Sequence, residues 1–349
     1  MTASNSSAAS PTAAPERTVG PAFTPSSTLA PTLTPTAAPL TTTLLFTGVI
    51  VPARCVQAAL DRIGDPNHPY VEVGDTLRAA DLSIGVFNAT MSDRAERTGC
   101  QITYTLVGDP NNADALAAAG FDLMSVATNH IKDCGKMKSW CNEAFFDTLD
   151  NLQRVGIAAV GGGENLAAAL QPVVLTVNGV RFGFVSLGDS KMDEFVFAGD
   201  TAPGIAHLDE QNARAAIAAA RQAADVVIAL PHWGSEDNWV ANWIQRSQAR
   251  YLVEAGADLV VGNHTHVLQG IQTIDGTDVF YGLGNFMFDQ DLRDHRQGVI
   301  LLVRFVGTRY AGYELIPVYH DRDGRIHFAG PPEAATILQN IRNASAPLQ

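Results

Sequence analysis

From residue 44 onward the chain alternates short apolar runs with longer stretches of helical periodicity. Leu44-Leu45-Phe46 predicts a strand running into Gly48-Val49-Ile50-Val51, and Ala53 to Ile63 predicts a helix with Arg54 near its start. After the Asp65-Pro66-Asn67 turn, a short helix over Thr76 to Ala80 feeds a strand at Leu82 to Phe87. Met91 to Pro110 is polar and irregular, which predicts a surface excursion. Alanine-rich Asp114 to Gly120 predicts a helix stopped by glycine, and Phe121 to Val126 a buried strand. Phe145, Phe146, Leu149, Leu152 and Val155 recur at helical spacing, with Gly156 as the stop and Ile157 to Val160 as the next strand.

Pro172 to Leu187 alternates around Asn178-Gly179, a strong hairpin signal. Asp209 to Ala224 predicts an amphipathic helix, Val226 to Leu230 a strand, and Trp243 to Ala255 another helix. Strands at Leu259 to Val261 and Val279 to Tyr281 follow, then a hairpin of Gly298 to Val306 with Gly312 to Tyr319. Gly161-Gly162-Gly163 lacks the Lys-Ser/Thr of a phosphate loop and reads as a turn. Strand-helix alternation with two hairpins and no repeat predicts one α/β domain over residues 44–330, built on a mixed sheet or a pair of sheets. Residues 331–349 read as a tail of uncertain order.

The first 43 residues are dominated by Ser, Thr, Ala and Pro. Such a tract cannot bury enough apolar surface to offset the entropy of ordering, so it reads as a disordered tether. It carries no basic, apolar leader, yet tethers of this composition commonly sit behind an export signal or lipid anchor. An extracellular or surface-attached chain is the expectation. With 349 residues, 46% hydrophobic and 17% charged, the chain can bury a sizeable core. A formal charge of -13 argues against nucleic acid or an anionic membrane as partner, since both need clustered Lys and Arg. No apolar run approaches the roughly 20 residues of a membrane span. Cys55, Cys100, Cys134 and Cys141 form no Cys-x-x-Cys pair, so a thiolate zinc site is not expected. An even count suits an oxidising compartment; Cys55 with Cys100 and Cys134 with Cys141 is one of the possible pairings.

Candidate chemistry gathers where strands end. In open α/β sheets ligands bind beyond the carboxyl ends of the strands, and here those ends carry Asn88, Asn129-His130, His232, and His264 with His266. The last pair sits in Gly262-Asn263-His264-Thr265-His266, and two imidazoles at i and i+2 on a glycine turn past a strand can converge on one ion. Meeting of these ends would give a nitrogen-rich site for one or two divalent ions, with zinc, manganese and iron all compatible. Such an ion binds an anionic or carbonyl oxygen and lowers the pKa of a bound water, with His130 as general acid to the leaving group. Asp289 either holds a histidine in place or caps a turn. Trp233 and Trp239 read as a substrate wall or as core. His68, His207, His295 and His320 lack the glycine-turn context and read as surface or structural.

Taken together, Gly48 through Arg54, Thr128-Asn129-His130 with Asp133, His232-Trp233-Gly234, the Gly-Asn-His-Thr-His turn and Gly284-Asn285-Phe286 resemble, in order and spacing, the CapA-type bacterial capsule-synthesis (poly-γ-glutamate) family. The resemblance covers roughly residues 44–320. It implies a metallophosphoesterase-like sandwich of two mixed β-sheets flanked by helices. Implied too is a role in making, exporting or trimming an anionic surface polymer, with that polymer or the capsule-synthesis machinery as partner. The matching positions place Asn129, His232 and His264 at one metal, His266 at a neighbouring metal, and His130 close to substrate.

Two departures change the expected chemistry. Where the family's opening motif is similar to Gly-Asp-x-Met, this chain has Gly48-Val49-Ile50-Val51, and its Asn-Leu-Glu segment is matched by Val86-Phe87-Asn88. Both metal-binding carboxylates are thus replaced by uncharged side chains, and two adjacent dications would repel with little compensation. The expectation is a reduced site with one ion or none, Asn88 serving as a weak fourth ligand: either a hydrolase-like site or a catalytically silent binding module.

Overall fold

The computed structural model describes residues 40–134, 141–189 and 194–349. In chain order the elements are β1 (Thr41–Ile50), α1 (Arg54–Ile63), α2 (Gly74–Ala79), β2 (Leu82–Phe87), β3 (Thr90–Met91), β4 (Val107–Gly108), α3 (Asn112–Ala119), β5 (Leu123–Ser125), α4 (Cys141–Arg154), β6 (Ala158–Val160), β7 (Gly162–Gly163), α5 (Leu166–Ala169), β8 (Val173–Val177) and β9 (Val180–Gly188). They continue as β10 (Gly204–Ile205), α6 (Glu210–Ala223), β11 (Val226–His232), α7 (Trp243–Ala255), β12 (Leu259–Val261), β13 (Ile271–Ile274), β14 (Thr277–Phe280), β15 (Asn285–Met287), β16 (Gln297–Val306), β17 (Arg309–His320), β18 (Ile326–Phe328) and α8 (Pro331–Ser345).

Strand β1 is buried along nearly its whole length, because its apolar residues face covered layers on both sides. It stands inside an eight-stranded sheet ordered β18-β17-β16-β1-β2-β5-β6, with β15 added at its carboxyl end. Strands β1, β2, β5 and β6 run parallel, while β16 pairs antiparallel with β1. A second, six-stranded sheet is ordered β13-β14-β12-β11-β9-β8, again parallel at its centre and closed by antiparallel hairpins at both edges.

The sheets face each other across one apolar layer. Leu44, Phe46, Ile84 and Leu123 come from the first sheet, and Phe182, Phe184, Ile228 and Leu259 from the second. Phe182 meets Phe305 edge-on at 5.3 Å between ring centres. Burial at about 25 cal/mol per Å² makes this layer the main stabilising contact. The outer face of the first sheet packs through Val49 and Met124 onto Leu60 of α1, Leu116 of α3 and Phe145 of α4, and that of the second through Val227 and Val260 onto Ile217 of α6 and Leu252 of α7. The expected two-sheet, helix-flanked sandwich is the architecture found.

The hairpin at Asn178-Gly179 forms with both residues in left-handed conformation (φ 51° and 79°), as a primed turn requires. Some expectations shift. The first strand starts at Thr41 rather than Leu44, since Thr41, Thr42 and Thr43 already pair with Val306, Phe305 and Arg304; residues 1–39 of the expected tether lie outside the described residues. The 331–349 stretch carries a helix over Pro331–Ser345, with prolines at its first turn and Ile337, Ile341 and Ala344 buried. In the 161–163 turn, Gly162 and Gly163 pair with Ile205 and Gly204. Cysteines pair as Cys55–Cys100 and Cys134–Cys141. Among the described residues no helix is long and apolar enough to cross a membrane.

Candidate functional site

Strand β11 runs apolar until Pro231 and ends on His232, whose side chain is carried to the sheet edge while its neighbours stay in the core. Beside it β12 ends at Val261, and the Gly-Asn-His-Thr-His turn begins. Gly262 is required there: a Cβ would run into the indole nitrogen of Trp233 and the carbonyl of Tyr281. Trp233 is fully buried, stacks on Tyr281 at 5.4 Å and donates its indole N–H to the Tyr281 carbonyl at 2.9 Å. It is core, not a substrate wall; it supports the turn from below. Trp239 also packs partly buried against apolar core.

The turn holds its two histidines in costly backbone conformations. His264 has φ 112° and His266 φ 59°, both in the region that side-chain-bearing residues avoid. Such strain persists only where the surroundings fix it, and it clusters at functional sites.

What this places together is specific. Nε2 of His232 lies 3.1 Å from Oδ1 of Asn129 and 3.1 Å from Nδ1 of His264. Asn129 arrives from the loop after β5, so three separate strand ends meet. His264 and His266 ring centres are 6.2 Å apart, and Nδ1 of His266 faces Oδ1 of Asn285 at 2.8 Å. His130 sits at the rim, its Nδ1 2.7 Å from Asp133 and its backbone N–H donating to Oδ1 of Asn88 at 3.1 Å. Burial holds His232 well below the ordinary imidazole range and lowers His264 to about 3 and His266 to about 4. All three rings are therefore neutral near pH 7, the form that ligates a metal.

Asn285 is the partner that sequence reasoning missed, although it lies inside the quoted Gly-Asn-Phe motif. Its amide nitrogen donates to Gln290 Oε1 and to the His295 carbonyl, which fixes the oxygen toward His266. Asp289 does not hold a histidine. It takes the Arg54 guanidinium in a bidentate pair and accepts the Cys55 N–H at 3.1 Å, capping α1. Arg54 also donates to the Thr103 carbonyl at 2.7 Å and lies 4.8 Å from the centre of Phe288, the ring that packs on His266. Next to this clamp opens a cleft of about 920 Å³ lined by Arg62, Tyr104, Glu236, Asp289, His295 and Arg322, among others. Burial raises the pKa of Glu236, which lies within electrostatic reach of His130.

The donor types that meet here are those a single divalent ion would fit. Nε2 of His232, Nδ1 of His264 and Oδ1 of Asn129 crowd one point with lone pairs that a cation reconciles. Among the described residues no three His, Cys, Asp or Glu side chains gather closely enough to hold an ion by themselves, so the set depends on the Asn129 oxygen. The two positions that would supply a second ion's carboxylates are neutral. Val49 is fully buried in the apolar core, and Asn88 spends its oxygen on the His130 amide while its buried Nδ2 has no partner among the described residues. His232 Nδ1 is likewise unpartnered, so the outer hydrogen bond that usually orients a ligating imidazole is missing on this ring.

The family described as bacterial capsule synthesis protein PGA_cap matches residues 43–290. The chain is 29% identical over 275 residues to the PGA biosynthesis protein CapA of Bacillus subtilis (strain 168), covering 78% of this chain and 70% of that protein. It is 28% identical over 254 residues to the capsule biosynthesis protein CapA of Bacillus anthracis, covering 71% of this chain and 60% of that one. A solved structure of a hypothetical protein from Thermus thermophilus shares the fold, with a TM-score of 0.50 and 15% identity over 79% of this chain and 98% of that one. With the family match spanning most of the described residues, the chain belongs to the bacterial capsule synthesis protein PGA_cap family.

Proposed function

We propose that this chain is an envelope-located accessory protein in the synthesis, export or trimming of an anionic surface polymer of the poly-γ-glutamate type, working through a reduced, single-ion hydrolase-like site. The observation that carries the reading is the meeting of Asn129, His232 and His264 at 3.1 Å contacts on a backbone strained at His264. The names of the Bacillus relatives support the polymer class. Asn129, His232 and His264 would hold zinc, manganese or iron, and the ion would supply Lewis acidity toward a carbonyl or anionic oxygen. His130, hydrogen-bonded to Asp133, would give a proton to a leaving group. Asn285 holds the His266 ring in one orientation beside them.

Neutral Val49 and Asn88 favour a second reading, in which the fold is kept as a catalytically silent module that binds a polymer or the synthesis machinery. An element-identified metal count per chain, after incubation with zinc or manganese, separates the two. About one ion per chain supports the first; no bound transition metal sinks it.

A further inference from the structure

Most exposed arginines on this acidic protein answer a carboxylate, among them Arg78, Arg154, Arg181 and Arg304. Arg246 and Arg250 do not: among the described residues neither has a hydrogen-bond or ion-pair partner. They stand four residues apart on the exposed face of α7, a spacing at which like charges oppose the helix. Trp243, one turn earlier on the same face, is 72% exposed, and Ile244 beside it is 37% exposed. Trp243, Arg246, Ser247, Arg250 and Gln272 together line a hollow of about 300 Å³ whose lining includes no carboxylate. The larger cleft, by contrast, mixes arginines with carboxylates, and two of its arginines are already paired there, Arg54 with Asp289 and Arg322 with Asp291.

We infer that this face of α7 is a docking subsite for a polycarboxylate chain. Unpaired guanidiniums are the fixed, planar donors that carboxylates match, and Cβ atoms four apart on a helix lie roughly 5–6 Å from one another. Two carboxylates of one polymer can therefore be taken at once, while the Trp243 ring covers the aliphatic stretch between them. Two arginines are too few for a nucleic acid, but enough to hold a flexible polycarboxylate. The inference rests on the polymer reading above and adds where the chain is held.

The test is calorimetric titration of the whole chain with a purified glutamate polymer, with neutral polyglutamine as control. Arg246→Ala/Arg250→Ala should weaken binding by about tenfold and Trp243→Ala by about threefold, while Arg214→Ala, a salt-bridged arginine on α6, leaves it unchanged. Added salt should weaken the wild type more than the double variant. Wild-type affinity in the double variant, and equally in Arg246→Glu/Arg250→Glu, overturns the subsite. So does polymer binding that His264→Ala abolishes and the arginine changes leave intact, a result that keeps the polymer reading and moves the polymer to the imidazole pocket. Binding to anionic phospholipid vesicles without binding to the glutamate polymer overturns it in favour of a membrane surface. No polymer binding by wild type also overturns it, and the metal count then judges the functional reading separately.

Discussion

Nδ1 of His264 lies 3.1 Å from Nε2 of His232, although the two residues come from different strand ends and each ring is buried and neutral. Two imidazole nitrogens at that distance either share one proton or share a cation. If they share a cation, added zinc or manganese should raise the melting temperature, by an amount set by about 2.7 kcal/mol at a hundredfold excess over Kd. His232→Ala and His264→Ala should each remove that rise and drop the metal count toward zero. A metal-induced shift that survives both substitutions would mean the ion sits elsewhere.

Restoring charge tests why the site is reduced. Val49 is fully buried among apolar side chains, so Val49→Asp alone in metal-free protein should destabilise it by about 3 kcal/mol. Combined with Asn88→Glu, it should raise metal stoichiometry above wild type and recover stability when metal is added. Unchanged stoichiometry in the double variant counts against these two positions being where the family's carboxylates stood.

Asp289 tests a different contact. Its carboxylate is fully buried, takes the Arg54 guanidinium and caps α1 through the Cys55 amide. Asp289→Ala leaves a buried guanidinium unpaired and should lower stability to chemical denaturation by about 3–5 kcal/mol. Pairing it with Arg54→Met should restore part of that loss. A loss under about 1 kcal/mol in the single variant would show the pair to be dispensable.

Acid should weaken the metal-free fold. His264, His266 and the fully buried His320 have folded pKa values held below the free imidazole value, so protons bind to the unfolded chain first. Their contribution is whole above about pH 6.5 and is lost as pH falls from there toward the folded values, near 3 for His264 and near 4 for His266, by up to about 1.4 kcal/mol per pH unit for each ring. Melting temperature should drop between about pH 7 and pH 5. A flat or rising curve over that window contradicts the burial of these rings as neutral species.

Much of the architecture was legible in the chain. The Trp243–Ala255 helix falls between its Asn242 cap and the Gly256 stop, and the Leu259–Val261 strand is a short apolar run buried throughout. The imidazole meeting was legible from strand ends alone, since parallel strands deliver their carboxyl ends to one edge. The hairpin of β13 with β14 was missed although Asp275-Gly276 signals it, with φ 48° and 87° in a primed turn. Helix α8 was missed because its apolar stripe is sparse. Asp289 could not be assigned from sequence: its partner Arg54 is 235 residues away, and no local pattern encodes a contact of that range. Trp233 took the commoner fate of a tryptophan, because a glycine turn leaves room beneath it for a flat ring.

The place of β1 within its sheet bears on how the molecule comes into being. One flank of that strand is completed by β2 a few dozen residues later, but the other waits for β16, where Thr41 finally meets Val306. A ribosome must therefore release most of the polypeptide before the earliest strand can zip up on both sides. Such distant pairing slows assembly and leaves an adhesive edge open in the meantime. A nascent chain cut short before residue 297 would keep every histidine of the pocket, yet lack the strand that locks their scaffold shut.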